Sequence, residues 1–194
     1  INENITGTIV IGDINYKFFK GFPNMTLALS QVELKDSLWA LHKRTLLKAE
    51  QIEVRVNVLG LLSNEINIDK IEIQQATLHL FKGKNGIVNT NIFRPKPKGK
   101  KSKSSTDSKV KEVVLDQVHF ISENQMGHKL FDFNIVALRS QIDHDNENWH
   151  TNLYLKTLAK SMAFNTQRGS FIKDRIVEGV LTVDFSKQKN QISV

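Results

Sequence analysis

The side chains able to do chemistry are few in this 194-residue chain. Its six histidines are His42, His79, His119, His128, His144 and His150. Only Asp143-His144-Asp145 with His150 groups them with carboxylates in the manner of a metal site. That cluster falls in a polar stretch without the i,i+4 helical pairing that gives metal motifs their specificity, and it reads as a hydrated loop. There are no cysteines, which excludes disulfides, thiolate zinc sites, iron–sulfur clusters and cysteine nucleophiles. No serine lies in a GxSxG elbow, and neither GxGxxG nor a P-loop occurs. The carboxylate pairs Glu50/Glu53 and Asp143/Asp145 have spacings too common to imply acid–base work. Two triplets, at Asn4 and Asn24, match a glycosylation sequon, as chance alone produces in a chain rich in Asn and Thr. The sequence therefore predicts a protein that is not an enzyme, with no catalytic residue, no metal ligands and no cofactor.

Charge points the same way. The net charge is +7, but its location matters more than its size. Residues 94–111 hold eight cations (Arg94, Lys96, Lys98, Lys100, Lys101, Lys103, Lys109 and Lys111) and one acid, Asp107. The remainder carries nineteen of each sign. A basic face for nucleic acid is thus unsupported, and the Phe-rich aromatics lie away from the cations that a stacking platform needs beside them. Segment 94–111 contains two of the three prolines and no aromatic. It cannot bury enough surface to offset its ordering entropy, so it reads as a disordered basic loop between units at 1–93 and 112–194. Contact with anionic headgroups is a second reading of the same run.

Most of the rest alternates with period two, the signature of half-buried strands. Met25, Leu27 and Leu29 alternate with polar or small residues. So do Ile52, Val54, Val56 and Val58; Ile66 and Ile68; Leu78 and Leu80; and Leu153 and Leu155. Ile71 and Ile73 continue in the opposite phase from Ile68, which predicts a bulge near Asp69-Lys70. One apolar face per strand predicts an antiparallel sheet with one covered side. Turns are expected at Lys82–Gly86, which would lead to a strand from Ile87, and at Asn124–Gly127. Helix signal is confined to one or two short turns. Val58–Leu62 reads as one; 37–48 reads as a turn or as a strand pair joined at His42-Lys43; and 158–164 is ambiguous. No window approaches the roughly 18–20 apolar residues of a membrane-spanning helix. The start at Ile1, with no signal-peptide blocks, reads as a piece cut from a longer chain.

A repeat is visible. IDKIEIQQATLHL (68–80) aligns with VKEVVLDQVHFIS (110–122), and IVNTNIF (87–93) follows the first as LFDFNIV (130–136) follows the second. His79 and His119 take matching places in it. A unit of about 42 residues that cannot cover its own apolar face should stack on a neighbour.

The order of features over 5–93 is more specific. A strand over 5–23 ends at Phe22-Pro23 and a second alternating strand follows. Ala49-x-x-Ile52 leads to Leu59-Gly60-Leu61-Leu62, then come Ile71-x-Ile73 and the closing turn Gly86-x-x-Asn89. This pattern resembles the AsmA family of bacterial envelope proteins, itself similar to chorein-type, bridge-like lipid transport proteins. Asn165-x-x-x-Gly169-Ser170-Phe171 extends the likeness more loosely into the second half. The resemblance implies a mainly β fold, a strongly curved, groove-like antiparallel sheet of repeated hairpin units. It implies a periplasmic body anchored in the inner membrane by an N-terminal helix absent from this chain, with phospholipid as ligand. Acyl chains would lie on an apolar inner face that includes Ile52, Val54, Val56, Ile66, Ile68, Ile71, Ile73, Leu78 and Leu80. The competing expectation is a structural module with a dry core, whose edges dock envelope proteins during outer-membrane assembly.

Overall fold

The computed structural model describes residues 7–18, 23–58, 67–93, 109–145, 148–186 and 191–193. The period-two runs form one ten-stranded sheet. In chain order the strands are β1 (Gly7–Val10), β2 (Asp13–Phe18), β3 (Asn24–Asp36), β4 (Leu47–Asn57), β5 (Asn67–Lys82), β6 (Glu112–Asn124), β7 (Lys129–Asp145), β8 (Asn148–Ala163), β9 (Arg175–Ser186) and β10 (Gln191–Ser193). Their spatial order follows the chain, except that β1 and β2 both pair with β3. The strand read over 5–23 is thus two strands, broken at Gly12, whose N–H donates to the Ser30 carbonyl at 3.0 Å. The sheet does not close, since β1 and β10 stand at opposite ends of the order.

Every pairing is antiparallel but one. β5 and β6 run parallel, from Ile71↔Val113 to Lys82↔Asn124. The offset is 42 throughout, the spacing of the sequence repeat, so residues 68–80 and 110–122 lie side by side in register. A parallel pair needs a crossover rather than a hairpin, and this corrects the strand expected from Ile87. Only Val88 bridges back, to Lys82, before a 3₁₀ turn at Asn89–Phe93. The cause is local. β4 starts at Leu47 and leaves the end of β5 without a strand on that side. The fully buried Asn89 takes its place, accepting from the Phe81 N–H at 2.9 Å and donating to the His79 carbonyl at 2.6 Å.

The bulge expected near Asp69 is present. Arg55 opposes Lys70 and Val56 opposes Ile68, which leaves Asp69 as the extra residue. A second irregularity was not expected. Gln31, Gln75 and Gln117 have φ of 51°, 47° and 53°. Each is skipped in the pairing of its strand with the next. Glu50 is skipped between Gln31 and Gln75, and Val136 beside Gln117, so a line of kinks crosses five adjacent strands. At each kink the side-chain alternation slips by one. Ile73 therefore shares a face with Ala76, Leu115 with Val118, and Ile52 with Ala49. The core of Val32, Ala49, Ile52, Ala76, Val118 and Ile135 lies along this line.

The remaining differences are at the ends. The 37–48 segment takes the helical option, α1 at Trp39–His42, stopped by Lys43 at φ 57° with its N–H on the Trp39 carbonyl. Residues 158–164 are ambiguous no longer, because β8 runs to Ala163. Asp143, His144 and Asp145 are not in a loop; they end β7, paired with His150, Trp149 and Asn148. Pairing also reaches into the stretch read as basic loop. Lys111 donates to the Ile68 carbonyl at 3.1 Å and Ile68 donates to the Lys109 carbonyl at 3.2 Å. Phe22, the Leu59–Leu62 turn, Ile66 and residues 94–108 lie outside the described residues.

Two outcomes follow. Gln117→Val, which puts a β-branched residue at positive φ, lowers the unfolding free energy by about 1–3 kcal/mol, whereas Gln117→Gly leaves it unchanged or raises it; urea midpoints distinguish them. Asn89→Ala strips two buried backbone groups of their partner and costs about 1–3 kcal/mol in the same assay.

Candidate apolar trough

The candidate site is one face of the sheet. Cross-strand partners point to the same side, so the register writes out the rows. One row runs Leu29, Ile52, Ile73, Leu115, Leu138, Leu155. The next runs Leu27, Val54, Ile71, Val113, Ser140, Leu153, Leu181. Beyond the kink line come Ala49, Ala76, Val118, Ile135, Thr157, Val177, and then Leu47, Leu78, Phe120, Phe133, Ala159.

Of the eight described residues of the expected inner face, Ile52, Val54, Ile71, Ile73 and Leu78 stand in these rows, and Val56, Ile68 and Leu80 lie beyond them on the same strands. Ile52 and Ile73 are adjacent, as are Val54 and Ile71, and Val56 and Ile68. Leu78 pairs with Leu47, and Leu80 lies beyond it on the same strand. Sequence reasoning missed the second-half members, Val113 to Leu155. The signal was present, since the 42-residue offset maps Ile71, Ile73 and Leu78 onto Val113, Leu115 and Phe120.

No second layer covers this face among the described residues. Substantial contacts between elements join sheet neighbours, apart from the 3₁₀ turn against β3 and β5. Most of the row residues are half-buried; the buried apolar ones are Ala49, Ala76 and Ala159 together with Ile52, Val118 and Ile135 along the kink line. Residues buried on a single-layer sheet are covered by their own neighbours, which the kinks bring together. Toward β9 even that cover ends, and Val177 and Leu181 are exposed.

The opposite face carries paired charges among a few apolar residues, Val114, Ile176 and Val180. Lys17 pairs with Glu53 at 2.9 Å, Lys70 with Glu72 at 2.8 Å and Lys156 with Glu178 at 2.9 Å. The Lys70 ammonium holds the Glu72 carboxyl below its usual range. Lys156 and the Tyr154 hydroxyl do the same for Glu178.

The histidines serve this face and the sheet ends. His119 and His79 are not matched in the repeat; Thr77 opposes His119, and Ile121 opposes His79. Each meets a carboxylate, Asp132 at 2.8 Å and Glu123 at 3.3 Å respectively. His144 Nε2 lies 2.7 Å from the Val110 carbonyl, and His150 Nδ1 lies 2.6 Å from the exposed Asp184. His42 accepts the Arg44 N–H at Nδ1, and its Nε2 lies 3.0 Å from buried Asp36. No group of three or more potential metal ligands converges among the described residues. The polar chemistry here is therefore pairing and capping, and the extended feature that can take a ligand is the apolar face.

Burial pushes the His79 imidazole below its usual value, against the pull of Glu123. The folded chain thus favours neutral His79, and its contribution to stability is complete above the unfolded value near 6.5 and falls as the pH drops below it. Thermal unfolding from pH 7.5 to 5 tracks this, and His79→Gln flattens the decline.

A family model described as the AsmA family matches residues 3–125. A search of curated proteins finds no match.

Proposed function

Because the chain belongs to the AsmA family, which is associated with the bacterial envelope, we propose that it is a lipid-handling segment whose apolar face takes up the acyl chains of phospholipid. In this reading the body lies in the periplasm, a membrane anchor holds it to the inner membrane, and phospholipid moves along the face toward the outer membrane. The observation that carries the reading is the set of largely apolar rows over five or more strands, with no layer above them among the described residues. A sheet with an uncovered apolar face must pair with another layer or hold an apolar ligand.

Dimensions agree. Strands lie about 4.8 Å apart, so a row from Leu29 to Leu155 spans about 24 Å. One lipid leaflet contributes about 15 Å of hydrocarbon, and the row is longer than a single acyl chain. Each methylene withdrawn from water contributes about 0.8 kcal/mol without any directional contact. Such binding is tolerant of chain type and leaves the ligand free to slide, which suits a conduit and needs no catalytic group.

Lipid extraction and native mass spectrometry of the purified chain test this. The expected result is co-purifying phospholipid that falls at least tenfold in Ile71→Asp and Val56→Asp, and also in Leu155→Asp in the half that the repeat adds. Glu72→Gln on the opposite face leaves it unchanged. Circular dichroism establishes that the variants are folded. A stable, lipid-free wild-type chain overturns the reading and favours the dry structural module.

A further inference from the structure

One rim of the sheet is built unlike the rest. Four connections meet there: 37–46 between β3 and β4, 83–88 after β5, 125–128 between β6 and β7, and 164–174 between β8 and β9. All turn at the same end, because β3, β5, β6 and β8 run toward it and β4, β7 and β9 run away.

These connections expose large apolar side chains at their tips. Phe171 is 80% exposed, Leu41 70%, Met126 58% and Phe164 54%. A soluble surface rarely displays so many together without a partner. Between them stand exposed cations, namely Lys43, Lys84, Lys129, Arg168 and Lys173, against one exposed acid in these connections, Asp174. Across the sheet, the described ends of β7, β8 and β9 expose Asp143, Asp145 and Asp184 instead.

The rim is continuous. The Thr166 N–H donates to the His128 carbonyl at 2.7 Å, and the Gln125 N–H donates to the Lys82 carbonyl at 2.8 Å. Lys84, His128, Lys129 and Thr166 line one cleft of about 390 Å³ between the turns. The rim also joins the trough. Phe131, beside Met162 on the apolar face, meets Phe164 edge-on at 5.4 Å, and Phe164 meets Phe171 at 6.5 Å. Gly7 enters the sheet here too, opposite Asp36.

We propose that this rim docks on an anionic phospholipid surface, with Phe164, Phe171, Met126 and Leu41 entering the headgroup boundary and the surrounding lysines and arginines meeting the phosphates. Apolar tips interleaved with cations suit a membrane interface, where one group enters the acyl region and the other stays with the headgroups. An acidic protein groove would satisfy the cations but would leave four separated apolar tips without pockets. The proposal rests on the envelope reading above, but not on acyl binding in the trough.

Flotation of the 194-residue chain with vesicles tests it, comparing pure phosphatidylcholine with phosphatidylcholine containing phosphatidylglycerol. To remove the contribution of the basic segment, all measurements are repeated with Lys96→Gln, Lys98→Gln, Lys100→Gln, Lys101→Gln and Lys103→Gln together. In that background the chain still floats with anionic vesicles and not with neutral ones. Phe164→Ser with Phe171→Ser weakens binding at least tenfold, and Lys84→Glu with Arg168→Glu and Lys173→Glu does so as well. Both sets are exposed, and circular dichroism verifies their fold. Absence of anionic binding in that background, or equal binding by the Phe164/Phe171 variant, overturns the proposal and would leave a protein partner as the occupant. Lipid co-purification separates the two readings. The rim variants retain bound phospholipid, whereas Ile71→Asp loses it and still floats.

Discussion

The line of kinks through Gln31, Glu50, Gln75, Gln117 and Val136 is the constraint on which the rest depends. An unkinked strand carrying Ile71 and Ile73 on one face would send Ala76, Leu78 and Leu80 to the other. Both faces would then be half apolar, and neither would form rows. Placing Gln31, Gln75 and Gln117 in the left-handed region costs on the order of 1 kcal/mol or more each. Aligning those sites in neighbouring strands turns five local defects into one bend, and the apolar residues of both segments gather along it. That is why a single-layer sheet holds a core at all.

The same constraint explains the division of labour between residue types. Next to the bend, Ala49 and Ala76 are buried with Ile52, Val118 and Ile135. Leu115, Leu138 and Phe120 flank it and remain partly accessible. The opposite face needs no such care, because its lysines and glutamates pair along and across strands and keep their charges solvated. The well-sealed parts of the molecule lie toward the rim, where Leu46, Asn89 and Ile92 are fully buried. The apolar face stays half-open over its middle, with no second layer on it among the described residues.

Much of this was legible in the residues. Alternation in 25–29, 52–58 and 153–155 announced strands with one apolar side, because half-burial leaves a period of two. The phase change after Ile68 announced the bulge at Asp69. The repeat announced that 68–80 and 110–122 are equivalent. The places of His79 and His119 in the repeat were misread by two residues. What was not legible followed from pairing. Nothing local distinguishes a parallel β5/β6 pair from a hairpin, since both strands look alike along their own length. Ile87–Phe93 resembles a strand in composition and is not one, because Asn89 answers the Phe81 N–H and His79 carbonyl that the late start of β4 leaves open, and reaches the Arg44 carbonyl 45 residues away.

Periodicity therefore determined the secondary structure class and the apolar residues of each strand segment, and the order of features over the first half carried the resemblance to the family. Each of these is a property of neighbouring residues. Only the tertiary structure decided that the apolar runs on either side of each glutamine share one face, that the second half extends the same rows, and that Leu41, Met126, Phe164 and Phe171 come to one rim. The reason is that these are relations between strands. A backbone dihedral at Gln75 or Gln117 sets the phase of everything beyond it, and hydrogen-bond register carries that phase across the sheet, so neither can be read from any one segment.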